Sequence, residues 1–144
     1  MSGPRRELKS DLVHRIGVDN AEIEAVFANL TREPIDAILV TTDPFFVTRA
    51  PQIVGLVGRH RVPAIYGRRP FAEAGGLISY SDDVADSYRQ LGVYSGQILK
   101  GKKPDDLPVW QTDRFELVIN LKAAKSLGLT IPPGLLAIAD EVIE

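Results

Sequence analysis

The sequence predicts an α/β protein, a mostly parallel sheet with helices on both faces. Two observations carry that expectation. Short apolar runs at 35–40, 62–66, 76–80 and 115–119 alternate with helix-like stretches, which is the pattern of a parallel sheet. The run Ile35-Asp36-Ala37-Ile38-Leu39-Val40 is also nearly continuous in apolar content, as in a strand covered on both faces. A third observation concerns the ends of these runs. The first three pass into Thr41-Thr42-Asp43-Pro44-Phe45-Phe46, Gly67-Arg68-Arg69 and Ser81-Asp82-Asp83. If the strands are parallel, the tails share one edge, outside the carboxyl ends of the strands, where open α/β sheets bind ligands.

Each element follows from local chemistry. Residues 1–18 are mixed polar and show no clear periodicity. Asp19 and Glu22 have capping-box spacing, and Ile23, Val26, Phe27 and Leu30 follow on one helical face, so a helix begins at Asp19 or Asn20. Glu33-Pro34 ends it, because the residue before proline is pushed out of the α region. After the 35–40 strand, a helix starting at Pro44 or Arg49 and running to His60 turns Ile53, Val54, Leu56 and Val57 inward. Pro51 fits only its first turn, which allows a start as late as Ala50. The 62–66 strand carries Pro63 at its second position, a mark of an edge or entrance. One helical turn at 71–74 precedes Gly75-Gly76 and the strand that follows.

A long helix at 82–100 is expected to bury Val84, Tyr88, Leu91, Val93 or Tyr94, and Ile98. Gly101 stops it, and Lys100 sits in the last turn, where a cation suits the helix dipole. Residues 102–108 form a polar linker, 115–119 a fourth strand, and 121–127 a short helix closed by Gly128. Ile131-Pro132-Pro133 leads into a final helix at 134–142. Four strands are few for a doubly wound domain.

Composition narrows the function. The chain has 144 residues, within the size of one domain, and is 44% hydrophobic and 25% charged with a net charge of -2. That balance gives no basic footprint for nucleic acid, and Arg5-Arg6, His60-Arg61, Arg68-Arg69 and the lysines of 100–103 read as solvated surface. With no cysteine, disulfides, thiolate metal ligands and a cysteine nucleophile are excluded. No apolar run approaches the ~20 residues that span a bilayer. The first residues lack the apolar core of a signal peptide, so the chain as written is expected to stay in the cytoplasm.

The candidate binding residues are Thr42, Asp43, Phe45, Phe46, Tyr66, Gly67 and Tyr80. Asp43 can accept from a ligand ammonium or hydroxyl, and it can equally cap the helix that begins at Pro44. Phe45 and Phe46 are adjacent, so a helix cannot turn both into the core, which leaves one for a cleft. Tyr66 and Tyr80 each offer an apolar ring with a polar tip, suited to a ligand wall or to a buried ring with a bonded hydroxyl. Gly75-Gly76 precedes a strand rather than following one and lacks nucleotide-loop spacing. No metal cluster, nucleophile elbow or carboxylate pair stands out, so no enzyme, metal or cofactor is expected.

The phrases DAILVTTDPFF (36–46), FELVINLK (115–122) and LGLTIPP (127–133), with the intervening 59–109 segment, are similar to one family. They resemble the C-terminal part of ABC-transporter substrate-binding proteins, in the branch that includes tryptophan- and tyrosine-type binding lipoproteins. The resemblance covers 19–144 and implies a type I periplasmic-binding-protein fold, in which two lobes close on a ligand. It implies a second-lobe portion at 19–75, a hinge crossing and first-lobe helix at 76–114, and a return crossing with C-terminal helices at 115–144. Residues 1–18 match poorly. It also implies that Thr42–Phe46, Tyr66-Gly67 and Tyr80 line the cleft, that the ligand is a small molecule such as an amino acid, and that a permease is the partner. Such proteins are periplasmic or membrane-anchored and about twice this length, so the chain is expected to be a fragment. Its 84–100 helix would then lack the first-lobe strands that normally cover it, which invites a homodimer through that face. A cytosolic ligand-sensing or interaction module of the same fold, without a transport role, is the alternative.

Overall fold

A computed structural model describes residues 19–30 and 35–144. The expectations for 1–18 and for the helix end at Glu33-Pro34 lie outside the described residues. Five strands form one sheet in sequence order: β1 (Ile38–Val40), β2 (Ala64–Tyr66), β3 (Ile78–Asp82), β4 (Phe115–Asn120) and β5 (Glu141–Ile143). The pairs β1–β2, β2–β3 and β4–β5 are parallel, and β3–β4 is antiparallel. The fold is therefore α/β with a mostly parallel sheet, as the alternating pattern indicates.

The helices are α1 (Asn20–Asn29), α2 (Pro44–Val47), α3 (Ala50–His60), α4 (Arg69–Glu73), α5 (Val84–Leu99), α6 (Leu121–Ser126) and α7 (Pro133–Leu136). Asp19 caps α1 by accepting the Glu22 amide at 2.8 Å. Asp83 caps α5 by accepting from Ala85 and Asp86, and Gly101, with φ +96°, takes the left-handed backbone that ends it. α3 starts at Ala50 with Pro51 in its first turn, the latest of the allowed starts, and α2 is a separate turn before it.

The core lies on one face of the sheet. Ile23 and Phe27 of α1, Ile53, Leu56 and Val57 of α3, and Phe71 of α4 pack with Val40, Ala64 and Tyr66. Burying each large side chain contributes about 1.5–3 kcal/mol. Tyr66 is fully buried, and its ring stacks on Phe71 at a centroid distance of 4.8 Å. Gly76 lies against the same ring. A Cβ there would come within 2.6 Å of Tyr66 Cε2 and 2.7 Å of the Phe71 carbonyl, so the position excludes any side chain. On the opposite face Leu39 and Ile65 are exposed, although Ile119 of β4 is buried.

Two expectations need correction. The last helix ends at Leu136 rather than 142, and the chain becomes β5. Asp140 is the cause, because its amide donates to the Leu117 carbonyl and its carboxylate accepts from the Leu117 amide. Those bonds draw 141–143 alongside β4. The α5 residues expected in a core are not there, because no residue of α5 is buried. Tyr88 and Leu91 are 70% and 60% exposed, and Val84, Val93 and Ile98 are exposed as well. Residues 83–114 form an excursion that leaves the sheet after β3 and returns into β4.

The Tyr66 hydroxyl is buried without a hydrogen-bond partner, and burial pushes its pKa well above the usual tyrosine value. A raised folded value means stability that is complete below the ordinary pKa of about 10 and lost as pH rises beyond it. Tyr66→Phe is expected to lie within about 1 kcal/mol of the parent at neutral pH, or above it, since an orphan hydroxyl is removed. Above about pH 10 the parent should weaken more steeply than the variant, as measured by urea denaturation across pH.

Gly67 gives a second test, because a Cβ there would meet Thr42 Cγ2 at 2.6 Å. Gly67→Ala should cost about 1–3 kcal/mol by overpacking, and Thr42→Ser, which deletes that methyl, should recover part of the loss in a double-mutant cycle.

Candidate ligand edge

The parallel register places the tails of β1 and β2 level with the middle of β3 rather than with its end. Val40 pairs with Tyr66, and Tyr66 pairs with Ser79, so the next residues of each chain, Thr41, Gly67 and Tyr80, stand side by side. With strands about 4.8 Å apart, the row is about 10 Å wide. The Gly67 amide donates to the Val40 carbonyl at 2.9 Å, tying the second tail to the first. This edge lies at the carboxyl ends of β1 and β2, whereas β3 runs two residues past Tyr80 to Asp82, paired with β4.

Asp43 does cap a helix. Its Oδ1 accepts the Phe45 amide at 2.7 Å, yet the residue is exposed at the edge. Capping thus leaves a carboxylate oxygen facing solvent. Thr42 beside it is exposed too. Phe45 and Phe46 are both half-buried and both pack against the core, with their rings edge to face at 5.7 Å. The core therefore holds part of each ring rather than the whole of one. Above Phe45 lies the Arg49 guanidinium, with its central carbon 3.7 Å from the ring centroid, and Arg49 Nη1 donates to the Phe45 carbonyl at 3.1 Å.

The two tyrosines part company. The Tyr66 side chain points into the core, so only its backbone belongs to the edge. Strand alternation explains the difference, since Tyr66 and Ser79 share the inner face and Tyr80 takes the outer one. Tyr80 is 54% exposed and stacks on Phe115, itself 49% exposed, at 5.4 Å and 17°. The antiparallel register brings Phe115 there by pairing it with Asp82. Phe115 was not among the residues singled out from the sequence. The signal available was an aromatic opening a strand, which a strand core claims just as readily.

Arg68 and Arg69 are not solvated surface, contrary to expectation. Arg68 Nη1 lies 3.2 Å from Asp82 Oδ1 at the end of β3. Arg69 pairs with Glu73 at 2.8 Å, with Glu141 at 2.6 Å, and with Glu116. Its pKa is raised by hydrogen bonds to Glu73 and Glu141 and by the charges of Glu116 and Glu141, partly opposed by burial. Of the Arg69 partners only Glu73 is close in sequence, at i+4, and no local pattern points to Glu116 or Glu141, which are distant along the chain. Among the described residues no cluster of three or more His, Cys, Asp or Glu could hold a metal ion. No described helix is long and apolar enough to cross a membrane.

A family model described as ABC transporter substrate binding protein matches residues 10–143. A tyrosine-binding protein of Clostridioides difficile strain R20291 is 26% identical over 114 residues, which cover 76% of this chain and 32% of that protein. Among solved structures, a conserved domain protein from Vibrio cholerae O1 biovar eltor superposes with a TM-score of 0.79 at 25% identity, covering 88% of this chain and 42% of the other. An ABC domain from Streptococcus pneumonia in complex with L-Trp gives a TM-score of 0.73 at 32% identity, covering 85% and 41%. The chain thus spans about a third of the curated relative (32%) and about two fifths of the solved chains (42% and 41%). With a match that runs through nearly all of its length, the chain belongs to the ABC transporter substrate binding protein family.

Proposed function

We propose that the edge formed by Thr42, Asp43, Gly67 and Tyr80 is one wall of a ligand cleft for an amino acid with an aromatic or apolar side chain. The supporting observation is that Gly67 and Tyr80 stand level with Thr41 across three parallel strands, and the chain after Thr41 runs directly into Thr42 and Asp43. Asp43 offers its carboxylate to the ligand ammonium, and the Tyr80–Phe115 stack offers an exposed aromatic face to the side chain. Phe45 and Phe46 present the half of each ring that the core leaves uncovered. The relatives that bind tyrosine and L-Trp support the ligand class. In this reading the chain serves an ABC uptake system without a catalytic step, a permease is its membrane partner, and affinity comes from enclosure between two walls.

The exposed α5 face favours an interaction role as well. Val84, Tyr88 and Leu91 follow at helical spacing on a helix with no buried residue, and a second copy of the chain is the occupant proposed for it. Velocity sedimentation should show a dimer at micromolar concentration, and a Tyr88→Glu/Leu91→Glu variant should return it to monomer. A compact monomer from the parent chain would end this proposal.

The ligand reading is tested by thermal shift against L-tryptophan, L-tyrosine and a panel of other amino acids. A single wall gives weak binding, so the midpoint should rise only when ligand exceeds a Kd of about 1 mM. Asp43→Asn keeps the helix cap but removes the charge, and it should abolish the rise while leaving the ligand-free midpoint nearly unchanged. A flat response of the parent to every amino acid, or an undiminished response in Asp43→Asn, would overturn the assignment.

A further inference from the structure

Excursion 83–114 leaves the sheet immediately after Asp82 and rejoins it at Phe115. Both roots are held by consecutive arginines, Arg68 in the loop after β2 and Arg69 at the start of α4. Arg68 holds Asp82, the last residue of β3, and Arg69 holds Glu116, the second residue of β4. The same Arg69 fork reaches Glu141 on β5, so the stake crosses to the edge of the sheet. The loop that leads into them begins at Gly67, which is tied to β1 through the Val40 carbonyl. Beyond the stakes, the Asp83 amide donates to the Arg114 carbonyl at 3.1 Å.

We propose that Arg68 and Arg69 are positioning residues that stake both roots of the 83–114 excursion to the loop bearing Gly67. The bend between sheet and excursion is thereby confined to Asp83 and Arg114. The chemistry fits the task. A guanidinium fork can engage several carboxylates in fixed directions, which a lysine ammonium cannot do. All five partners are partly exposed, with side-chain accessibilities between 27% and 43% for Arg68, Asp82, Arg69, Glu116 and Glu141. Salt therefore reaches them, and the stakes weaken as ionic strength rises. The consequence for binding rests on the ligand reading above. On that reading, the arginines fix the angle at which the excursion stands to the wall that carries Gly67 and Tyr80.

The experiment needs no ligand, so its failure is distinct from failure of that reading. Amide exchange is followed at 80–83 and 114–117, with 38–40 as the internal reference, in the parent and in Arg68→Met/Arg69→Met. Trp110, the single tryptophan of the chain, lies within the excursion and reports its order by fluorescence anisotropy. In the double variant the root amides should exchange about tenfold faster and Trp110 anisotropy should fall, while β1 exchange is unchanged. Arg69→Lys should loosen the β4 root similarly, because it keeps the charge and loses the fork. About 1 M salt should reproduce part of the effect in the parent and none in the double variant. Should the double variant fail to fold, Asp82→Asn and Glu116→Gln each remove one stake with little change of shape, and should loosen one root apiece. Exchange that rises equally in every strand, or rescue by Arg69→Lys, would mean that the arginines only add general stability. Unchanged exchange and anisotropy at the roots would likewise overturn the proposal.

Discussion

Packing of Tyr66 against Phe71 and Gly76 is the constraint on which the rest of the structure depends. The ring occupies the inner face of the central parallel strands, and Gly76 approaches it so closely that no Cβ fits. Because α4 supplies Phe71 and the turn after it supplies Gly76, one ring fixes the whole β2–α4–β3 connection. That connection sets the register between β2 and β3. It therefore aligns Gly67 and Tyr80, and it turns the α4 N-terminus so that Arg68 and Arg69 face β3, β4 and β5. A close hydrophobic contact thus governs a polar edge, which is how a rigid core positions mobile chemistry at its rim.

How much was legible depended on whether the signal was local. The Asp19 cap, the Pro51 limit on α3, the Gly101 stop and four of the strands are properties of a few neighbouring residues, and all appear in the fold. β5 was hidden because Leu135-Leu136-Ala137-Ile138-Ala139 favours a helix by itself, and the bonds between Asp140 and Leu117 that override it are long-range. Tyr66 was ambiguous for a related reason. Ile65 beside it is apolar yet exposed, so alternation along the strand did not reveal the inner face.

The candidate edge was visible in outline and incomplete in detail. Strand ends can be read from sequence, and parallel order then predicts which tails meet. Side-chain direction and cross-strand partners cannot be read that way. Phe115 joins Tyr80 only because the β3–β4 pair is antiparallel, and Arg69 meets Glu116 and Glu141 only once β4 and β5 are in place. Asp43 shows that two readings of one residue need not compete. A carboxylate has two oxygens, and the cap engages only one of them in this fold.

The junction between β3 and β4 has a consequence for how this architecture can vary. Five residue pairs in register, from Ile78 with Ile119 to Asp82 with Phe115, bring the two ends of residues 83–114 together independently of what lies between them. The entropy of closing a loop grows only slowly, by about 0.6 kcal/mol for each doubling of length. A chain segment held at its ends in this way can be lengthened, shortened or exchanged with little penalty to the sheet. The junction is thus a natural insertion point, where new surface can be acquired while the core and its ligand-facing rim stay as they are.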